Sequence, residues 1–470
     1  MARTSSTPCT TAPAGRPRPG ARLRRRLLSG VTALSALTLS ACSGGAFGAG
    51  DGRTTITYWL WDATQQPAYQ QCAEDFENSQ SEYRIDLQQH GWSDYWTQLA
   101  LGFVSDSAPD VFANHLSKFP EYVTRDLLMP LDDLIARDGL SLDIYEEGLP
   151  ELWTGRDGHR YGLPKDWDAV GLYYNADMLA EAGIDPEQLQ NLTWNPEDGG
   201  TYEQVIAHLT VDENGVRGDE PGFDKHHVRT YGLWMQGAGG DSFGQTTWSM
   251  YAVSNGFQFT DTNPWGTHFN FDQPAFQETM RWWQHLIEEG YTPSYAVQDG
   301  QQGADQMAAG HAAMAMDGSW VTANFLGIEG VNVGIAPTPI GPTGQRASMS
   351  NSLADSIYVG TDHPEGAWEW VKYLASPDCQ RVVGESHVVF PAITEAWHVA
   401  QQRFAEEGID VSPFTDQVEQ GTTFRFPITE HAGEISALLI PAFQAVMNGA
   451  SPESLNEVND RINRLLEEED

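Results

Sequence analysis

Positive charge is scarce in this chain. Against 65 aspartates and glutamates stand 26 lysines and arginines, a formal charge of −39. A surface of that sign repels nucleic acid and anionic headgroups, which argues against polyanion binding as the activity. Long apolar runs are missing after the N-terminal region, and none reaches the roughly 18 residues of a membrane-spanning helix. Cysteine is sparse, four in 470 residues, too few for a scaffold built on disulfides. Chemistry-bearing motifs are thin as well. There is no His-Glu-x-x-His, no phosphate loop and no Gly-x-Gly-x-x-Gly between a strand and a helix. His226-His227 stands alone beside an acidic loop and reads as a solvated pair, not a metal site. The loop itself, residues 210–224, lacks the ligand period and closing glutamate of a calcium loop. No cofactor or metal is expected.

The N-terminus holds what the rest lacks. Arg16, Arg18, Arg22 and Arg24-Arg25-Arg26 form a basic cluster. An apolar run of about a dozen residues follows, too short to span a bilayer. It closes on Leu39-Ser40-Ala41-Cys42, with Ser43-Gly44-Gly45 after it. This order resembles a bacterial lipoprotein signal peptide, which implies cleavage before Cys42 and lipid on the new N-terminal cysteine. Residues 1–41 would be the leader and 42–53 a lipidated, flexible tether. The arginines fit either a general secretory or a twin-arginine export signal. Loss of the seven leader arginines would take the formal charge to −46. Cys9 would leave with the leader. Cys72 and Cys379 remain, either paired in an oxidising compartment or as two buried thiols.

From residue 54 the pattern alternates. Residues 54–60 are β-branched and aromatic and read as a strand. Residues 63–78 carry Tyr69, Cys72, Ala73 and Phe76 at helical spacing. A second strand at 83–87, a helix at 92–104 and a third strand from 109 follow. Such alternation predicts an α/β fold with a mostly parallel sheet covered on both faces. About 420 residues exceed one ordinary core, so two domains are expected. Helices are also read at 274–289, 365–375, 432–447 and 454–467.

The positive functional signal is aromatic. Several of the 16 tryptophans stand beside polar residues where strands should end: Trp61-Asp62, Trp167-Asp168, Trp234 with Gln236, and Trp320 after Asp317-Gly318-Ser319. Flat rings cover the C–H faces of a sugar, while Asp, Asn and Gln pair with its hydroxyls. Open α/β sheets bind ligands at the strand ends.

Four segments carry a more specific resemblance. They are residues 108–112 (APDVF), 161–164 (YGLP) with 172–175 (LYYN), 311–320 (HAAMAMDGSW) and 364–374 (PEGAWEWVKYL). In this order they resemble the solute-binding proteins of bacterial ABC sugar importers, the group that includes maltose-binding protein. The resemblance implies a two-lobed periplasmic-binding-protein fold of type II, its lobes joined by several hinge crossings. Residues 54–165 with 353–385 would form lobe 1, and 166–350 with 390–470 lobe 2. It implies ligand contacts from Trp61, Asp62, Asn114, His115, Trp167, Asp168, Trp234, Gln236, Trp320 and Asn351, with Lys165 as a cleft cation. It implies no catalysis. A monomer held to the cell membrane by its lipid would capture an oligosaccharide, close, and deliver it to a permease driven by a cytoplasmic ATPase. Two other readings stay open. One keeps the fold and binds a cationic or peptide-like solute; the other is a secreted glycoside hydrolase with a carboxylate pair.

Overall fold

The computed structural model describes residues 52–235 and 243–467. In chain order its strands are β1 (Thr54–Leu60), β2 (Tyr83–Gln89), β3 (Val111–His115), β4 (Leu163–Trp167), β5 (Val170–Asn175), β6 (Val211–Asp212), β7 (Val228–Trp234), β8 (Ala312–Gly318), β9 (Val333–Ala336), β10 (Ser348–Ser350), β11 (Ser352–Ile357), β12 (Phe390–Pro391) and β13 (Thr423–Arg425). Two larger sheets organise them, one ordered β12-β4-β11-β3-β1-β2 and the other β6-β7-β8-β5-β9. Each is the centre of one lobe. In β1 the buried residues Ile56, Tyr58 and Leu60 alternate with half-buried ones, the period of a strand pleat. β3 and β8 are buried at every position, as strands covered on both faces must be.

The expected mostly parallel sheet is instead mixed. β1 runs parallel to β2 and β3, but β11 lies antiparallel between β3 and β4, and β12 is antiparallel to β4. In the second sheet β7 and β8 are parallel and the other pairings antiparallel. The cause is the crossings. β11 re-enters the first sheet after the chain has visited the second, so it runs against the strands that it joins.

Three stretches of chain lie side by side between the sheets. Asp168 and Asn351 join two of them reciprocally. The Asn351 N–H donates to Asp168 Oδ1 at 2.8 Å, and the Asp168 N–H donates to the Asn351 carbonyl at 3.1 Å. β10 pairs in parallel with β13, and the Phe426 N–H donates to the Ser350 carbonyl at 3.1 Å.

Residues 390–406, expected on lobe 2, sit on the first sheet. Phe390 opposes Trp167 and Pro391 opposes Asp166. The helix Thr394–Glu406 packs behind them against the helix Pro377–Ser386. Ring stacking fixes this placement: Trp167 lies 4.6 Å from Phe390 at 11°, with Trp397 edge-on at 5.7 Å.

Cys72, on the helix Gln66–Ser79, is bonded to Cys379, on Pro377–Ser386, with Cα atoms 5.2 Å apart. The bond ties the start of the chain to a helix 307 residues later. Restricting the unfolded chain by a closed loop longer than 100 residues is worth upward of about 4.7 kcal/mol in the loop-entropy account, against about 2–4 kcal/mol for a typical disulfide. In residues 210–224 the Asp212 carboxylate accepts the N–H groups of Asn214, Val216 and Asp224. That carboxylate organises the turn. Among the described residues no helix is long and apolar enough to cross a membrane.

Candidate ligand-binding site

A cavity of about 860 Å³ opens between the two sheets beside the crossings, a volume in the range of sites that enclose a ligand. Its first wall is built on the end of β1 and the helix Trp92–Ser105. Trp92 and Trp96 are one helical turn apart and therefore share a face. Together with Trp61, just past β1, they form a box of three rings. Trp61 is 5.2 Å from Trp92 and 5.3 Å from Trp96, and the last two are 5.3 Å apart. Trp92 remains 42% exposed, so ring area is left for a ligand. Trp283, Tyr295 and Trp320 stand in the opposite wall. Trp320 follows the end of β8 and its ring lies directly over Gly318, where a Cβ would overlap it. Glycine at 318 is what lets the ring lie there.

Polar groups of the crossings form the base. His115 Nδ1 accepts the Ser117 N–H at 3.0 Å, and the Asn351 amide lies 2.7 Å from His115 Nε2. A neutral imidazole carries one proton, so Nε2–H donates and the Asn351 amide oxygen accepts. Burial, reinforced by Lys118, pushes the imidazole down to about 3, so His115 stays neutral. Its partner Asn351 then turns its NH₂ away from the ring. Asp168 Oδ1 accepts from Gln245 Nε2 at 3.1 Å as well as from the Asn351 N–H. Removal from bulk water raises the Asp168 carboxyl well above the usual range, and Asp166 adds to the rise. Asp166 itself is pushed up to about 7 by burial, with Asp355 and Asp62 adding; Lys165 and the Leu353 N–H oppose the shift.

Of the residues expected at the ligand, Trp61, Asp62, His115, Trp167, Asp168, Trp320 and Asn351 all border this one cavity. Trp167 is 2% exposed and spends most of its ring on Phe390 and Trp397. Asn114 and Trp234 lie elsewhere. Asn114 is fully buried and donates to Ser356 Oγ at 3.2 Å within the first sheet. Trp234 is buried in the second lobe, edge-on to Tyr231. Gln236 and Cys42 lie outside the described residues. Lys165, expected as the cleft cation, points into the core instead; Lys118 borders the cavity, its Nζ 5.8 Å from the Trp96 ring. Sequence reasoning missed Trp92, Trp96, Trp283, Tyr295, Gln245 and Asp166. Trp92 and Trp96 carried a usable signal, a tryptophan pair at i, i+4 directly after a strand.

The letters Gly-x-Ser-x-Gly do occur, as Gly240-Asp241-Ser242-Phe243-Gly244. A nucleophile elbow needs a tight strand-to-helix turn at the serine. Here β7 ends at Trp234 and the next helix begins at Ser249. Ser242 lies outside the described residues. His227 pairs with Asp224 at 2.9 Å on the surface.

The family model of bacterial extracellular solute-binding proteins matches residues 61–381. The chain belongs to this family. It is 30% identical to the lactose-binding protein of Rhizobium radiobacter over 37% of this chain and 39% of that one. It is 25% identical to the maltodextrin-binding protein MdxE of Bacillus subtilis over 66% of this chain and 67% of that one. The chain thus spans about two fifths of the first relative and two thirds of the second. Among solved structures, M. tuberculosis UspC superposes with a TM-score of 0.67 at 26% identity, covering 87% of this chain and 99% of that one. The fold is the two-lobed binding-protein fold.

Proposed function

We propose that this solute-binding protein is the lipid-anchored, carbohydrate-binding subunit of an ABC importer. The observation that carries the reading is the aromatic-walled cavity between the sheets. Rings from both lobes face a base of carboxylate, amide and imidazole groups, the pairing a sugar's two kinds of surface requires. The sugars in the names of the relatives, lactose and maltodextrin, support the same class. Following sheet membership, lobe 1 is taken as residues 54–167 with 352–406 and lobe 2 as 170–350, to which 408–470 are added because their helices pack on β5 and on the helix Pro274–Glu288. Closure about the Asp168–Asn351 crossings is a hinge motion that would present a loaded monomer to the permease. No catalytic step is assigned.

A panel of neutral and substituted oligosaccharides tests the reading by calorimetry and solution scattering. One class should bind, shift tryptophan fluorescence and reduce the radius of gyration. Binding of basic peptides with no response to any sugar sinks the carbohydrate reading. Release of shortened sugars points to the hydrolase instead.

The lipid on Cys42 is what would keep a diffusible binder beside its permease. Stable anchoring takes more than one acyl chain, which the diacylated cysteine of the resemblance supplies. Cys42→Ala is expected to move the protein from the membrane fraction to the medium with sugar affinity intact. Retention of the variant on membranes removes the anchor from the proposal.

A further inference from the structure

The carbohydrate cavity has an imbalance that a neutral sugar does not use. Four aspartates border it, Asp62, Asp166, Asp168 and Asp299. Among the described lining residues, Lys118 is the cation, since His115 stays neutral. The carboxylates differ in how they are occupied. Asp62 Oδ1 accepts from the Thr64 N–H and hydroxyl, and its Oδ2 from Gln65 Nε2. Asp168 is held through Oδ1 by Asn351 and Gln245. Asp166 is different. Its Oδ1 accepts the Leu353 N–H at 3.1 Å, but its Oδ2 is buried with no partner, and the residue is 5% exposed. A buried carboxylate oxygen without a donor costs folding free energy unless something fills the need. Lys165, next in sequence, does not fill it: its ammonium is turned to Tyr58 and Asp355.

We infer that the saccharide this cavity takes carries a protonated amine, and that the amine is seated against Asp166, with Asp168 beside it. This rests on the carbohydrate reading above. An ammonium offers three donors and a positive charge. It satisfies Asp166 Oδ2 and, as an opposite charge at short range, favours the ionised form of a carboxyl that burial otherwise holds protonated. The tryptophan walls serve it equally well, because aromatic faces attract cations as well as covering C–H surfaces. Replacing the amine by an acetamide removes the charge and adds bulk, so acetylated sugars should be rejected.

The test is calorimetry at pH 6 with matched di- and trisaccharides that differ in one substituent, amine, acetamide or hydroxyl, in α-1,4 and β-1,4 series. In at least one series the amine form should bind tenfold or more tightly than its hydroxyl and acetamide partners. The ratio of amine to hydroxyl affinity should fall toward one in Asp166→Asn, an isosteric change. Hydroxyl or acetamide forms that bind as well as the amine overturn the inference and leave the carbohydrate reading standing. An amine preference that survives Asp166→Asn overturns the seat at Asp166. Failure of every sugar in every series overturns the carbohydrate reading, and the inference with it. The wild-type comparison needs no variant to fold.

Discussion

Trp320→Ala should cost at least about 2 kcal/mol of binding free energy, roughly thirtyfold in Kd, while the protein keeps its fold. The ring is half-buried at the cavity wall and follows β8 directly, so its removal leaves the strand untouched. A companion variant isolates orientation from ring area. Gly318→Ala keeps the indole but places a methyl where the ring now lies, so the ring must tilt away from its seat. Its backbone φ is −88°, which alanine adopts without strain, so the effect reports crowding alone. Affinity should fall in Gly318→Ala as well, and Trp320→Phe should recover part of the loss in Trp320→Ala. Calorimetry against the sugar found in the panel, with thermal melts of each variant, reads all three. Unchanged affinity in Trp320→Ala would mean that the ring packs for stability and that the three-tryptophan box of the other wall carries the ligand.

Trp234 shows why such a site is only partly legible. Both Trp234 and Trp320 stand at the ends of central strands beside polar residues. The alternation of a strand says that neighbours face opposite ways. It does not say which way is the cavity, because the sheet is covered on both faces. That choice is settled by tertiary packing, here by Tyr231 against Trp234 and by Gly318 beneath Trp320. Local signals did well where one face decides. The helix Trp92–Ser105 buries Tyr95 and Leu99, as its spacing requires. They failed where a partner is remote. Phe390–Pro391 joins the first sheet only through Trp167 and Asp166, more than 200 residues earlier. No composition signal marks a two-residue strand. Asp166 was hidden for another reason: one carboxylate among 65 acidic residues becomes distinctive only when its second oxygen is seen to lack a donor.

Lys165→Met is expected to be the most destabilising single change in the first lobe, by about 3–5 kcal/mol. The lysine is 2% exposed. Its Nζ donates to the Tyr58 hydroxyl at 2.7 Å, lies 3.8 Å from Asp355 Oδ1 and sits 3.1 Å from the centre of the Tyr69 ring. Tyr58 in turn donates to Asp355 at 2.7 Å. Burial lowers the lysine and raises the aspartate, and each partner opposes the other's shift. Methionine matches the stem in shape but leaves Asp355 as a buried carboxylate with one neutral donor. The cost therefore comes from the stranded charge and not from lost packing. A double variant, Lys165→Met with Asp355→Leu, separates the two causes, because it removes both charges of the pair and leaves the Tyr58 hydroxyl as the polar group between them. It should recover much of the stability lost by the single change, a coupling of about 1–3 kcal/mol in urea denaturation. If the single variant unfolds within 1 kcal/mol of the parent, the pair is not what holds β4 to β1 and β11. The same result would unsettle the cavity, since Asp166 follows Lys165 on β4, and the core anchor on one residue fixes where the next residue meets the ligand.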